Sequence, residues 1–148
     1  MFEILIGYDI IIKGDFMKII LCLDDNNGML FNNRRQSRDR VLVEDIINNL
    51  QGEKLNIFQF SKVLFEDFSD KICIAEKLEK GKLYFVENLD LEPFSKDIAE
   101  IIVYKWNRIY PSDFYCKIDF GFRFFVAEET ELSGNSHEKI TKIIWRVK

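Results

Sequence analysis

The sequence predicts a mixed α/β (α+β) domain, and three observations carry that expectation. Short apolar runs at Lys18–Leu23, Leu83–Val86 and Ile101–Trp106 have the length and the β-branched or aromatic content of buried strands. Leu42, Val43, Ile46, Ile47 and Leu50 form the apolar stripe of one helix. The chain has 148 residues; at that size roughly two-thirds of the unfolded surface can be buried without disulfides or metal. The expected architecture is a single domain over residues 17–148, with a central sheet of about five or six strands and two or three helices.

Residues 1–16 read as an N-terminal extension. Glu3, Asp9 and Asp15 interrupt its apolar stretch, so it predicts neither a membrane span nor a signal peptide. Lys13-Gly14-Asp15-Phe16-Met17 can be encoded by AAA-GGA-GAT-TTT-ATG, a purine-rich ribosome-binding sequence before a start codon, which would make Met17 the natural start. The alternative is an edge strand, since Ile4, Ile6, Ile10 and Ile12 alternate with other residues.

From Met17 on, Lys18–Leu23 predicts a buried strand. Asn27-Gly28 predicts a type I′ turn, with Met29–Phe31 returning as a brief strand. A basic stretch from Arg34 to Arg40 leads into a helix over Ser37–Leu50, which Gly52 is placed to end. Leu55–Phe60 and Lys71–Ile74 read as strands, Ser95 as the cap of a short helix, and Ile101–Trp106 as a strand. Phe114–Phe120 and Phe122–Val126 predict neighbouring strands around Gly121. At the C-terminus, Ile140, Ile143, Ile144 and Val147 match helix spacing, while Thr141, Ile143, Trp145 and Val147 match strand spacing. The first turn offered by Ser136-His137-Glu138-Lys139 favours the helix.

Composition narrows the function. The net charge is −4 and the pI near 5.1, the wrong sign for a nucleic-acid footprint and the right one for a basic protein partner. Fourteen phenylalanines fill a core or leave apolar surface for a partner. Cys22, Cys73 and Cys116 form no Cys-x-x-Cys pair and predict three reduced, buried thiols in a cytoplasmic protein. One histidine excludes histidine-rich metal centres, and no metal or cofactor is expected.

Four constellations are candidates for chemistry. Asp24-Asp25-Asn26 at a strand end resembles the Asp-x-Asp of haloacid-dehalogenase-type phosphatases, but an amide stands where the second carboxylate must move a proton. It reads better as an Asx-rich turn. Arg34, Arg35, Arg38 and Arg40 oppose the helix dipole, a cost of up to about 1 kcal/mol, which hints at pairing with Asp24, Asp25, Asp39 or an outside anion; the stretch reads better as a solvated or internally paired basic patch. Trp106, Asn107, Arg108, Tyr110 and Asp113 combine hot-spot residue types with turn chemistry around Pro111. Ser136-His137-Glu138 reads as a polar helix cap, or as a general acid/base.

The segments LCLDDNNGMLFNNRRQSRD (residues 21–39), FVEN (85–88), YKWNRIYPSDF (104–114) and SGNSHEKITK (133–142) resemble a family of small bacterial proteins whose members often carry the label ribonuclease Z. True ribonuclease Z builds a two-zinc centre from a His-x-His-x-Asp-His cluster, and this chain offers only His137. The family resembles, more loosely, immunity proteins of contact-dependent growth inhibition systems. That resemblance implies a protein that binds and neutralises a basic nuclease toxin, without catalysis, cofactor, nucleic acid or membrane. The alternative from the residues is a small enzyme or a nucleotide- or phosphate-binding protein. Asp24, Asp25, Arg34, Arg35, Asn107, Arg108 and His137 would then converge on one cleft at the strand ends.

Overall fold

The apolar run after Phe16 forms β1 (Met17–Leu23) and lies inside the main sheet, because both of its faces are covered. Ile19, Leu21 and Leu23 pack into one core, and Ile20 packs into the other. The computed structural model describes residues 14–148. The expected edge strand over Ile4–Ile12 and the reading of the extension before Gly14 lie outside the described residues.

The remaining elements follow in order: β2 (Gly28–Phe31), β3 (Arg34–Arg35), α1 (Arg40–Asn48), β4 (Leu55–Ile57), β5 (Ile72–Ile74), β6 (Leu83–Phe85), β7 (Ile98–Lys105), β8 (Phe114–Tyr115), α2 (Phe120–Arg123), β9 (Phe124–Leu132) and β10 (Ile140–Val147). Runs of 3₁₀ turns cover Gln59–Lys71, interrupted at Phe65 and Phe68, and Glu92–Asp97. The main sheet has seven strands in the order β5-β4-β6-β1-β7-β10-β9. The first five run parallel, and β10 and β9 close the far edge antiparallel. A second sheet of three strands, β3-β2-β8, stands apart from it.

Each face of the main sheet has its own cover. Leu42, Val43, Ile46 and Ile47 of α1, with Phe65 of the 3₁₀ segment, cover Ile20, Ile57 and Phe85. Met29 and Leu30 of the small sheet, with Leu91, Cys116 and Ile118, cover Ile19, Leu21 and Ile101. Parallel strands buried on both faces read as continuous apolar runs, which is why β1 and β7 are legible in the sequence.

The mixed fold class and the single domain are as expected, with one or two more strands in the sheet. Several local expectations are corrected. The C-terminus is a strand, not a helix. β10 lies between β7 and β9, pairing Ile143 with both Val103 and Glu129, so two ladders satisfy its backbone where a helix would leave β7 and β9 unpaired. Helix α1 starts at Arg40, later than the expected Ser37, because Asp39 caps it. Ser95 caps no helix; it lies inside the 3₁₀ turn that begins at Glu92. The two-residue hairpin turn with positive φ at both positions is Asn32-Asn33 (51° and 60°), between β2 and β3, not Asn27-Gly28. Phe114–Phe120 keeps only two strand residues. These pair with β2, while Phe124–Leu132 pairs with β10, so the two predicted strands are not neighbours. Cys22, Cys73 and Cys116 are free thiols, but Cys73 is exposed on the edge strand β5. Among the described residues no helix is long and apolar enough to cross a membrane.

Leu21 is fully enclosed between the two sheets. Leu21→Ala is expected to cost about 2–5 kcal/mol of unfolding free energy, read by urea denaturation as a lower midpoint with an unchanged slope.

Candidate functional site

Asp39 closes the polar side of the strand ends. Its Oδ1 accepts from the Val41 N–H (2.9 Å), the helix cap, and from the Asn135 N–H (2.9 Å). Its Oδ2 accepts from the N–H groups of Ser136 (2.8 Å) and His137 (3.1 Å), from the Ser136 hydroxyl (3.2 Å) and from His137 Nδ1 (3.1 Å). The β9–β10 loop is thereby wrapped around one carboxylate. Burial pushes that carboxyl upward, but the bonds from Asn135, His137, Ser136 and Val41 outweigh it and hold Asp39 well below the usual carboxylate range. Gly134 makes the wrap possible: a Cβ there would stand 2.5 Å from the His137 carbonyl oxygen and 2.7 Å from Asp39 Oδ2.

An ionised Asp39 is an acceptor only, so the proton of neutral His137 sits on Nδ1 and the lone pair on Nε2. Two hydroxyls reach that nitrogen: Tyr110 Oη at 2.9 Å and Ser37 Oγ at 3.1 Å. The imidazole is buried and stacks on Trp106, with ring centroids 4.5 Å apart. Ser37, His137 and Asp39 thus form a hydroxyl–imidazole–carboxylate chain, with Tyr110 as a second hydroxyl.

Beside this chain lies a narrow slot whose walls include Met29, Leu42, Val43, Leu64, Phe85 and Trp106. Its volume is about 20 Å³, room for about one water. Arg35 crosses it and holds Glu87 through Nε (3.0 and 3.1 Å) and Nη2 (2.8 Å), while Nη2 also donates to the Phe60 carbonyl. Burial raises the Glu87 carboxyl, and Arg35 draws it back only in part. Cys22 lines the slot too, but burial and then Glu87 push its thiol up, so it stays protonated and a poor nucleophile. Ser37 and Asp39 also line an open groove of about 680 Å³ between α1 and the Gln59–Lys71 segment, whose walls mix Val43, Val63, Leu64 and Phe68 with Arg38, Arg40, Glu66 and Asp67.

The expected convergence of Asp24, Asp25, Arg34, Arg35, Asn107, Arg108 and His137 on one cleft is corrected. Asp24 is buried and already accepts five bonds. Oδ1 takes the Asn26 and Gly28 N–H groups, and Oδ2 takes the Tyr110 N–H, Ser112 Oγ and Gln36 Nε2. It is a loop bracket with no capacity left for proton transfer; those bonds hold it below its usual range against the upward push of burial. Asp25 is exposed, and only its N–H is used, on the Arg108 carbonyl. Asn107, at φ 60°, ties its amide to Lys139 and Thr141. Asp113 accepts from the Asn32 N–H, and Arg108 is exposed. Of the arginines, Arg35 pairs with Glu87 and Arg40 with Glu44, not with the expected aspartates, and Arg34 and Arg38 are exposed. Arg34, Arg35 and Tyr110 share a separate open groove of about 540 Å³. His137 is not a helix cap, because no helix follows it.

Sequence reasoning misses Ser37 and Glu87 as site residues, and it marks Asp39 only as an ion-pair partner. The site residues lie 98 and 100 positions from His137, so no local spacing signals them. Among the described residues, no group of three His, Cys, Asp or Glu side chains is placed to hold a metal ion.

No family model matches the chain, and no curated protein matches it. Among solved structures it is similar to the dihydrofolate reductase of Enterococcus faecalis complexed with NADP(H) and RAB-propyl, with a TM-score of 0.64 and 6% identity. That match covers 90% of this chain and 97% of the reductase. The chain therefore has a dihydrofolate-reductase-like fold. This likeness corrects the expected toxin-neutralising immunity protein: the architecture found is the one seen in that reductase, and nothing in the fold supports immunity.

Asp24 and Asp39 have folded pKa values below their unfolded ones, so each stabilises the protein fully above about pH 4. That stability is lost as pH falls from there through the depressed values. Asp39→Asn should cost more than about 3 kcal/mol by leaving buried N–H groups unpaired and should flatten the acid limb of a stability-against-pH curve. Tryptophan emission, from Trp106 and Trp145, during urea unfolding reads both effects.

Proposed function

We propose that the protein binds a small organic molecule at the C-terminal ends of its central parallel strands. The observation that carries this reading is the junction at Ser37, where the open groove beside α1 meets the apolar slot. Ligands of open parallel sheets bind outside the strand C-termini, and here an apolar strip of Val43, Val63, Leu64 and Phe68 lies among polar side chains that can fix a ligand's orientation. The ligand has an apolar body lying against Val43, Val63, Leu64 and Phe68, and a polar end that meets Ser37. Arg38 stands beside it to receive an anionic substituent.

The reductase in the comparison was solved with NADP(H), and the residues of this chain do not fit that group. A pyrophosphate needs glycines that let backbone N–H groups approach it, ahead of a helix N-terminus. Here β6 is followed by Val86-Glu87-Asn88-Leu89-Asp90-Leu91-Glu92, with no glycine and three carboxylates. The turn after it is a six-residue 3₁₀ segment with Glu92 in its first turn. The segments after β1 and β7 open with Asp24-Asp25 and Trp106-Asn107. Ligand chemistry here rests on the chain's own side chains.

Two measurements test the reading. NADPH added to the protein is expected to show no change in its fluorescence. A fragment library screened by NMR is expected to give ligands that shift the signals of Val43, Val63 and Leu64. Val63→Trp, a change at a half-exposed position, is expected to abolish those shifts. Ligands that map only to other surfaces would refute the groove.

A further inference from the structure

We infer that Ser37 is a nucleophile activated by His137 and oriented through Asp39, and that the groove takes a carboxylic ester with an apolar acyl group. The inference rests on the proposed binding groove for its substrate and on the side-chain geometry for its chemistry.

The geometry has each part that such chemistry requires. Ser37 Oγ stands 3.1 Å from His137 Nε2, and His137 Nδ1 stands 3.1 Å from Asp39 Oδ2, both within the reach of nucleophile–base and base–orienter pairs. The order of the three in the chain is irrelevant, since such groups are recognised by geometry. Asp39 is saturated by backbone N–H groups, so it stays ionised and fixes the tautomer that leaves Nε2 basic. Trp106 holds the ring flat from one side. Of the two hydroxyls on Nε2, Ser37 lines both the slot and the open groove, whereas Tyr110 lines the other groove with Arg34 and Pro111. The substrate-facing hydroxyl is therefore that of Ser37. Arg38 follows it, and the residue after a nucleophile commonly supplies an N–H to the oxyanion; its side chain also lines the groove.

The reaction balances within the site. Ser37 Oγ adds to the ester carbonyl carbon while its proton passes to His137 Nε2. The C–O bond to the leaving alcohol then breaks, and that oxygen takes the proton from Nε2, leaving Ser37 acylated. Water repeats the sequence, giving its proton to Nε2, and the acid departs as Ser37 recovers its proton. Tyr110 competes with Ser37 for the single lone pair of Nε2 and acts as a positioning residue.

The test treats the full chain with an alkyl fluorophosphonate and follows it by intact mass and peptide mapping. The expected result is one adduct, on Ser37, absent in Ser37→Ala. His137→Gln is expected to slow labelling by about 100-fold, within the usual contribution of a general base. Tyr110→Phe is expected to raise the labelling rate, because Ser37 then has the lone pair to itself; a purely structural role for the cluster would not do this. Because His137 is buried and its variant can unfold, a second variant is used. Ser37→Cys, combined with Cys73→Ala to remove the exposed thiol, is expected to react with iodoacetamide well below the pH at which an ordinary thiol ionises. No adduct on Ser37 in the unsubstituted chain, or an ordinary thiol titration in the Ser37→Cys variant, would overturn the inference. Failure here with ligands still bound in the groove removes only the nucleophile. Ser37 labelling without groove ligands removes the groove and leaves the nucleophile standing.

Discussion

A single carboxylate holds together two pieces of chain that are remote in sequence. Asp39 lies within the basic stretch, caps α1 and gathers the turn between β9 and β10, accepting from four backbone N–H groups in all. Burying a charge is tolerable only when its hydrogen bonds are complete, and the loop Gly134–His137 takes its shape from meeting that demand. Asp24 does the same for the turn after β1, drawing in the Tyr110 N–H and Ser112. Tyr110 belongs to both systems, through its N–H to Asp24 and its hydroxyl to His137. The two buried anions therefore share one polar network, and the imidazole sits between them.

That network stands at the strand ends because of the parallel topology. In β6, β1 and β7 every C-terminus points the same way, so Glu87, Asp24 and Trp106 emerge side by side. The antiparallel β9 and β10 then bring their connecting loop, with His137, back to the same end. A fold of this kind makes its site from turns on a rigid sheet, and the turns of this chain carry acids, aromatic residues and hydroxyls where a dinucleotide would need glycine.

The sequence reveals most where burial is two-sided. β1, β7 and α1 are legible because their apolar patterns report contact with a core, and α1 starts at Arg40 rather than Ser37 because Asp39 caps it. β10 is illegible because its residues satisfy both periods, and only the ladders on either side decide between them. Asn27-Gly28 carries the strongest local hairpin signal, yet Gly28 serves instead to admit the Ser112 and Gln36 side chains where a Cβ would collide. His137 is visible in the sequence as a lone candidate base. Its partners are not, since Ser37 and Asp39 look like ordinary residues ahead of a helix until the fold sets them against it. Asp24 draws attention for chemistry, and its environment shows a carboxylate with every lone pair engaged.

What separates a structural clasp from a reactive one at His137 is the second nitrogen. Nδ1 is committed to Asp39 in either case, and stacking on Trp106 fixes the ring in either case. Nε2 offers one lone pair to two hydroxyls at nearly equal distance, so at any moment one of them lacks that acceptor. A cluster built only for stability would satisfy both hydroxyls in place, as the saturated Asp24 and Asp39 are satisfied. Tyr110 is anchored by its backbone to Asp24 and lines the groove with Arg34, whereas Ser37 lines the slot and the groove beside α1. The group with the looser hold on the base is thus the one that faces the proposed binding groove.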